Sequence, residues 1–151
     1  MINTSIMLQS ILFAAALSFL TAISVTASDI VIEISGLRKD AGIARTLLFN
    51  SAKGFPIDQF ASVSAQDGII ENGKASIVFK NVPAGVYAVS VIHDENINGK
   101  LDKRFLGIPK EGVGFSNNIR PFIGPPSFEQ AQFTISTTTV KLAILMNYFL
   151  K

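Results

Sequence analysis

The sequence predicts an all-β fold: a single-domain, immunoglobulin-like β-sandwich with about seven strands. Short segments of alternating apolar and polar residues recur along the chain, and Gly, Pro and Asn separate them. No segment after residue 28 has the length and period of a long helix. The length of 151 residues favours one domain.

The strands can be read in order from these patterns. Ile30, Ile32 and Ile34 alternate with polar or smaller residues, as in a half-buried strand, and Gly36 ends the segment. Asn72-Gly73 is a signal for a two-residue hairpin. The predicted strands are 30–35, 43–49, 75–79, 86–92, 131–135 and 138–149, with 86–92 central because it is almost wholly apolar.

Two other segments have weaker signals. Residues 56–60 follow the pattern of one short helical turn, with Pro56 at its start. The ten Phe residues after position 28 are expected to fill the space between the two sheets.

The N-terminal residues have a different composition, since every charged residue and every Gly and Pro lies after Ser28. The apolar run 11–23 is shorter than the roughly 20 residues that span a bilayer. It has the size of a signal-peptide core, and Val25-Thr26-Ala27 resembles a cleavage site. We therefore expect a signal peptide at 1–27 and a periplasmic or secreted domain at 28–151, with no stable membrane anchor after cleavage. The alternative is an uncleaved anchor, because no Lys or Arg precedes the run.

Composition excludes several classes of function. The 13 Lys and Arg residues nearly balance 11 Asp and Glu residues, which argues against nucleic acid as a partner. The absence of Cys removes disulfides, thiol catalysis and zinc–thiolate sites. A single His leaves little room for a multi-His metal centre.

One segment, 94–102, has the spacing of a calcium loop. Its oxygen-bearing side chains fall at loop positions 1, 3, 5 and 9, and Gly99 at position 6 permits the sharp turn. Calcium takes six to eight oxygen ligands, which alternate residues of a curled loop can supply. The candidate ligands are the side chains of Asp94, Asn96, Asn98 and Asp102 and the carbonyl of Lys100.

The loop also departs from the standard pattern. Position 12 is Phe105 instead of a bidentate Glu, and Glu111 or Glu95 is the candidate replacement carboxylate. The alternative interpretation is a loop of Asx-turns, in which Asp and Asn side chains cap their own backbone. If calcium binds, we expect a dissociation constant of about 10⁻⁴–10⁻³ M.

An ordered series of seven motifs runs along the chain. The motifs are Gly36-Leu37-Arg38, Pro83-Ala84-Gly85-Val86-Tyr87-Ala88-Val89, His93-Asp94-Glu95-Asn96, Asn98-Gly99-Lys100-Leu101-Asp102, Gly107-Ile108-Pro109-Lys110-Glu111-Gly112, Gly114-Phe115-Ser116-Asn117-Asn118 and Gly124-Pro125-Pro126-Ser127-Phe128. The segment 82–89 is similar to the turn and strand of prealbumin-like sandwiches, which implies a fold of that kind. Together the motifs cover roughly residues 30–149, and they resemble the DUF2141 family of exported bacterial proteins. The resemblance implies a periplasmic or secreted domain and no particular activity.

Two further features bear on function. His93 follows the central strand, and it either braces the loop or, in a hydrolase, acts as a base with Asp94 or Glu95. The segment 105–128 is long for a connection and contains four Phe residues among Gly and Pro. It either binds a glycan, peptide or lipid or plugs the end of the sandwich. No catalytic residue is assigned, and we expect a non-enzymatic binding or structural module.

Overall fold

A computed structural model describes residues 26–121 and 123–149 and confirms the all-β sandwich. Within these residues there are eight strands in two sheets and one short α-helix. The strands are β1 (Ala27–Ser35), β2 (Ile43–Phe49), β3 (Ser64–Gly68), β4 (Lys74–Pro83), β5 (Gly85–Asp94), β6 (Val113–Phe115), β7 (Phe133–Ile135) and β8 (Val140–Leu145), and the helix is α1 (Phe128–Ala131). The predicted signal peptide falls almost entirely on residues 1–25, outside the described residues.

The strands form a three-stranded and a five-stranded sheet. The first has the order β4-β1-β8, and the second has the order β3-β2-β5-β6, with β7 also pairing with β5. β1 and β8 run parallel, and the other pairs are antiparallel. β5 therefore lies inside its sheet, as its apolar sequence predicts.

The main core lies between the sheets and is built by strand alternation. Ile30, Ile32 and Ile34 point inward from β1, and Val89 and Val91 meet them from β5. All five side chains are almost completely buried, so these strands have a fixed register.

The opposite, outer face of the five-stranded sheet carries a second apolar cluster. Leu47, Phe49 and Ala88 point outward and are covered by Phe55 and Phe128 from the long connections. The ring of Phe55 packs edge-on against Phe49 and Phe128, with centroid distances of 5.3 and 5.9 Å. This arrangement gives the sandwich a partial third layer.

The expectation that Phe residues fill the space between the sheets is wrong for most of them. Among the described residues, Phe79 is the buried Phe of the main core, and Phe133 packs against it from the side. Phe49, Phe55 and Phe128 belong to the outer cluster instead. The reason is that two long connections return across the outer face and need apolar side chains to hold them there.

Some local predictions are confirmed and others need correction. Asn72 and Gly73 form the predicted tight turn with φ of 53° and 71°, but it leads from one sheet to the other. The predicted helical turn at 56–60 is a series of turns and not a helix. The last two predicted strands are shorter, at Phe133–Ile135 and Val140–Leu145, while β3, β6 and α1 were not predicted.

Among the described residues, no helix is long and apolar enough to cross a membrane.

Candidate functional site

The segment 94–102 leaves the end of β5, and the strand itself positions its first residue. Asp94 pairs with Ile43 of β2 and is fully buried. Its Oδ1 accepts a hydrogen bond from the backbone N–H of Asn98 at 3.0 Å, and its Oδ2 accepts one from Gly99 at 2.8 Å. The guanidinium of Arg45 lies 3.7 Å from the same Oδ2. A buried carboxylate is therefore held by two amides and one cation.

The next three candidate ligands contact one another directly. The side-chain amides of Asn96 and Asn98 donate to the carboxylate of Asp102, at 2.9 and 3.1 Å. Their carbonyl oxygens face the backbone, where Asn96 Oδ1 accepts from the N–H of Asn98 and Asn98 Oδ1 accepts from that of Lys100. This is an Asx-turn arrangement in which the loop satisfies its own polar groups.

Glu111 ties the two ends of the loop together. Its side chain is buried, and its two carboxylate oxygens accept from the backbone N–H groups of Glu95 and Asp102, each at 2.9 Å. The sequence analysis identified Glu111 only as a candidate replacement for the Glu that is missing at loop position 12. No local pattern indicates that it bridges positions so far apart in the chain.

The side chain of Glu95 lies outside this network and pairs with Arg38 and Lys39. Burial disfavours its ionised form, but the hydrogen bonds and charges of the two cations prevail and lower the pKa of Glu95. Of the two candidate replacement carboxylates, Glu111 is therefore the one that accepts hydrogen bonds from the backbone of the 94–102 loop.

The carboxylates do not form a compact metal cluster in this conformation. Within residues 26–121 and 123–149, no three His, Cys, Asp or Glu side chains lie close enough together to hold a metal ion. Any cation here would depend on the Asn side chains and on backbone carbonyls. Calcium binding therefore remains a prediction.

His93 is fully buried, and both ring nitrogens have hydrogen-bond partners. Nε2 lies 2.9 Å from the carbonyl of Ala41, which can only accept, so Nε2 carries the proton. Nδ1 then accepts from the Tyr148 hydroxyl at 2.7 Å, and that hydroxyl accepts from the backbone N–H of Arg38 at 3.1 Å. Burial raises the pKa of Tyr148 and so keeps the hydroxyl a donor.

This arrangement bears on the hydrolase hypothesis. A general base must reach the proton that it abstracts, and the His93 ring is shielded from solvent by its own partners. The hydroxyl of Ser116, the nearest Ser in the following motifs, is also buried and donates to Ala131 O at 2.6 Å. The geometry of His93 is that of a brace between β5, the 41–42 turn and the C-terminal segment.

The long segment 105–128 divides into buried and exposed parts. Phe115 and Phe128 are buried on the outer sheet face, so they do not plug the end of the sandwich. Phe105 is 88% exposed. Phe122 lies outside the described residues. The segment therefore contains both a packed part and an exposed apolar part.

Comparison with known families identifies the family of the chain. The family model described as an uncharacterized protein conserved in bacteria, DUF2141, matches residues 32–143, which is most of the chain. The chain belongs to the DUF2141 family. The matched region of this DUF2141 chain contains the 94–102 loop, His93 and Glu111. No curated protein and no solved structure matches the chain.

Proposed function

We propose that this DUF2141 chain is an exported, non-catalytic module whose 94–102 loop binds Ca²⁺. The observation that supports the proposal best is the contact of Asn96 and Asn98 with Asp102. Two of the four predicted side-chain ligands, Asn96 and Asn98, already lie within hydrogen-bond distance of a third, Asp102. A cation between them replaces the amide–carboxylate contacts.

Calcium binding requires a small local rearrangement. The amides of Asn96 and Asn98 rotate so that their oxygens, instead of their nitrogens, face Asp102. The carbonyl of Lys100 supplies a further ligand, and one oxygen of Asp94 adds negative charge. The Asx-turns around Asn96 and Asn98 are lost in exchange, which accounts for the expected weak affinity of about 10⁻⁴–10⁻³ M.

A thermal melt in EDTA, in 10 mM Ca²⁺ and in 10 mM Mg²⁺ tests this proposal. At ten times its dissociation constant a ligand stabilises the folded state by about 1.4 kcal/mol. For a domain of this size we therefore expect Ca²⁺ to raise Tm by roughly 5 °C. Mg²⁺ should have little effect, because it loses its water ligands reluctantly.

Two isosteric variants assign the effect to the loop. Asp102→Asn should abolish the Ca²⁺-dependent rise in Tm, since it removes the carboxylate that both amides contact. Asp58→Asn is the matched control, because Asp58 is exposed and caps only the backbone of Phe60. An unchanged Ca²⁺ response in Asp102→Asn, or no response in the unmodified protein, would contradict the proposal and leave the loop as a self-capped turn.

The export part of the proposal is supported by the apolar run 11–23 and the small residues before Ser28. N-terminal sequencing of the protein recovered outside the cytoplasm tests it, with Ser28 as the expected first residue. A product that retains residues 1–27 in the membrane fraction would favour the uncleaved anchor.

A further inference from the structure

The outer face of the five-stranded sheet carries an open cavity of about 260 Å³ that the calcium proposal does not use. Its floor is formed by Ser90 and Ile92 of β5 and by Val113 and Phe115 of β6. The register pairs Ser90 with Phe115 and Ile92 with Val113, so all four side chains share the outer face. The cavity lies where the covering layer around Phe55 and Phe128 ends.

One wall of the cavity lies next to the 94–102 loop. It is a short loop formed by residues 103–110, which we name the apolar loop. Lys110 N donates to Asp102 O at 2.9 Å, and Arg104 N donates to Ile108 O at 2.7 Å. Its tip is Phe105-Leu106-Gly107, closed by a bond from Gly107 N to Arg104 O at 3.1 Å. The wall is therefore held by its own backbone.

The tip of this loop exposes apolar side chains. Phe105 and Leu106 are 88% and 82% exposed, and Ile123, next to the lining residue Gly124, is 89% exposed. Leu106 also adopts a left-handed backbone with φ of 67°, which costs a residue with a side chain about 1–2 kcal/mol. An exposed Leu at a position suited to Gly or Asn has no benefit to the isolated fold. Such strained apolar positions concentrate at binding sites.

The lining chemistry selects the class of ligand. Among the described residues that line the cavity, only Ser90 and Lys103 have polar side chains. The hydroxyl of Ser90 already donates to Pro56 O at 2.6 Å. The floor therefore offers no unused side-chain donor for a sugar or a peptide backbone, and it favours an alkyl chain.

Charge selects the head group of that ligand. Lys103 lines the cavity, and the apolar loop contains two further cations, Arg104 and Lys110, and no acidic residue. The nearest carboxylates in sequence, Asp102 and Glu111, are engaged by amides in the neighbouring loop. A cavity of about 260 Å³ is smaller than the roughly 300 Å³ at which drug-sized pockets begin, so it suits one chain and not the two of a phospholipid.

We propose that the cavity binds a single-chain anionic amphiphile of the fatty-acid class. The alkyl chain lies over Ile92, Val113 and Phe115, and the anionic head group pairs with Lys103 at the rim. Leu106 covers the chain from the tip of the apolar loop.

Isothermal titration with sodium decanoate below its micellar concentration tests this site. EDTA is present throughout, so the result does not depend on Ca²⁺ binding. Decyltrimethylammonium has the same chain with the opposite charge, and we expect it to bind at least tenfold more weakly. Decanol, which is uncharged, should fall between the two. Equal affinities for decanoate and decyltrimethylammonium would overturn the assignment of Lys103.

Two pairs of variants locate the site. Lys103→Glu should weaken decanoate binding at least tenfold, whereas Lys141→Glu, on an exposed position of β8, should not. Leu106→Asn keeps the left-handed turn and should weaken binding about fivefold without lowering Tm. Unmodified affinity in both Lys103→Glu and Leu106→Asn would overturn the proposal.

Anionic phosphatidylglycerol vesicles distinguish a free amphiphile from a membrane surface. The proposal predicts that decanoate binds to the protein when no vesicles are present. Binding to vesicles with no detectable decanoate binding would overturn the proposal and assign the exposed tip to membrane docking.

Discussion

Two loops that follow one another in the chain use their side chains in opposite ways. In the loop 94–102, Asp94, Asn96, Asn98 and Asp102 all bond to other groups of the loop. In the apolar loop, backbone hydrogen bonds hold the base, while Phe105 and Leu106 project into solvent. The polar side chains of the first loop hydrogen-bond within that loop and stabilise its conformation. The second loop leaves its apolar side chains exposed and available to a ligand.

The two loops also share a left-handed apolar residue, which allows their contributions to folding and to binding to be compared. Each has an apolar residue in the left-handed conformation, Ile97 with φ of 56° and Leu106 with φ of 67°. Because the backbone cost is similar at both positions, substitutions there separate the effect on folding from the effect on binding.

The largest expected effect comes from Asp94→Ala. The variant removes a fully buried carboxylate, leaves the N–H of Gly99 without its acceptor and leaves that of Asn98 with only Asn96 Oδ1. Hydrogen bonds to charged groups contribute about 1.5–3 kcal/mol each, so we expect the free energy of unfolding to fall by about 3 kcal/mol. Urea unfolding measures it, with Asp58→Ala as the control. A loss below 1 kcal/mol would mean that the loop does not depend on this carboxylate.

A smaller effect is expected from the brace behind the loop. Tyr148→Phe removes the hydroxyl that donates to His93 Nδ1 and accepts from Arg38 N, and it leaves a buried ring nitrogen unpaired. We expect a loss of about 1–2 kcal/mol in the free energy of unfolding.

The second tyrosine of the chain provides a matched comparison. The hydroxyl of Tyr87 donates only to the carbonyl of Pro83, at 3.0 Å, and Pro83 is exposed. Water replaces that partner, so Tyr87→Phe should cost less than Tyr148→Phe in the same urea titration. The reverse order would show that His93 is not braced by Tyr148.

The smallest effect, with the opposite sign, is expected at Ile97 in the 94–102 loop. Ile97 is 63% exposed, and its branched side chain is poorly suited to a left-handed backbone. Ile97→Asn should raise the free energy of unfolding by about 1 kcal/mol, because Asn tolerates that conformation. Decanoate affinity should be unchanged in Ile97→Asn and reduced in Leu106→Asn. A loss of affinity in both variants would mean that the two loops are not separate in function.

Local sequence signals predicted much of the fold because they report on local physics. The alternation of Ile30, Ile32 and Ile34 depends only on which face is buried, and the structure confirms it. β3 was not predicted because its sequence, Ser64–Gly68, is mostly polar at a sheet edge with one partner. The short helix α1 did have a readable signal, since Ser127 and Gln130 form a capping box.

The candidate site was predictable only in part. The spacing of Asn96, Asn98 and Asp102 was compatible with a shared cation and with Asx-turns. The structure has both amide nitrogens on Asp102 and both amide oxygens on the backbone. The role of Glu111 and the cavity above Ile92 depend on where distant segments return to the sheet. Hydrophobic periodicity gives the face of a strand but not which connection covers it, so neither feature could be read from the sequence.

The parallel pairing of β1 with β8 has a consequence for how the protein reaches its native state. Ile30 aligns with Val140, so the first strand finds one of its two neighbours almost a full domain length later in the chain. Contacts between residues so distant in sequence close late and slow the folding rate. The three-stranded sheet is therefore incomplete until β8 has been synthesised and has paired with β1. Until then β1 has one unpaired edge, which is open to pairing with a strand of another chain.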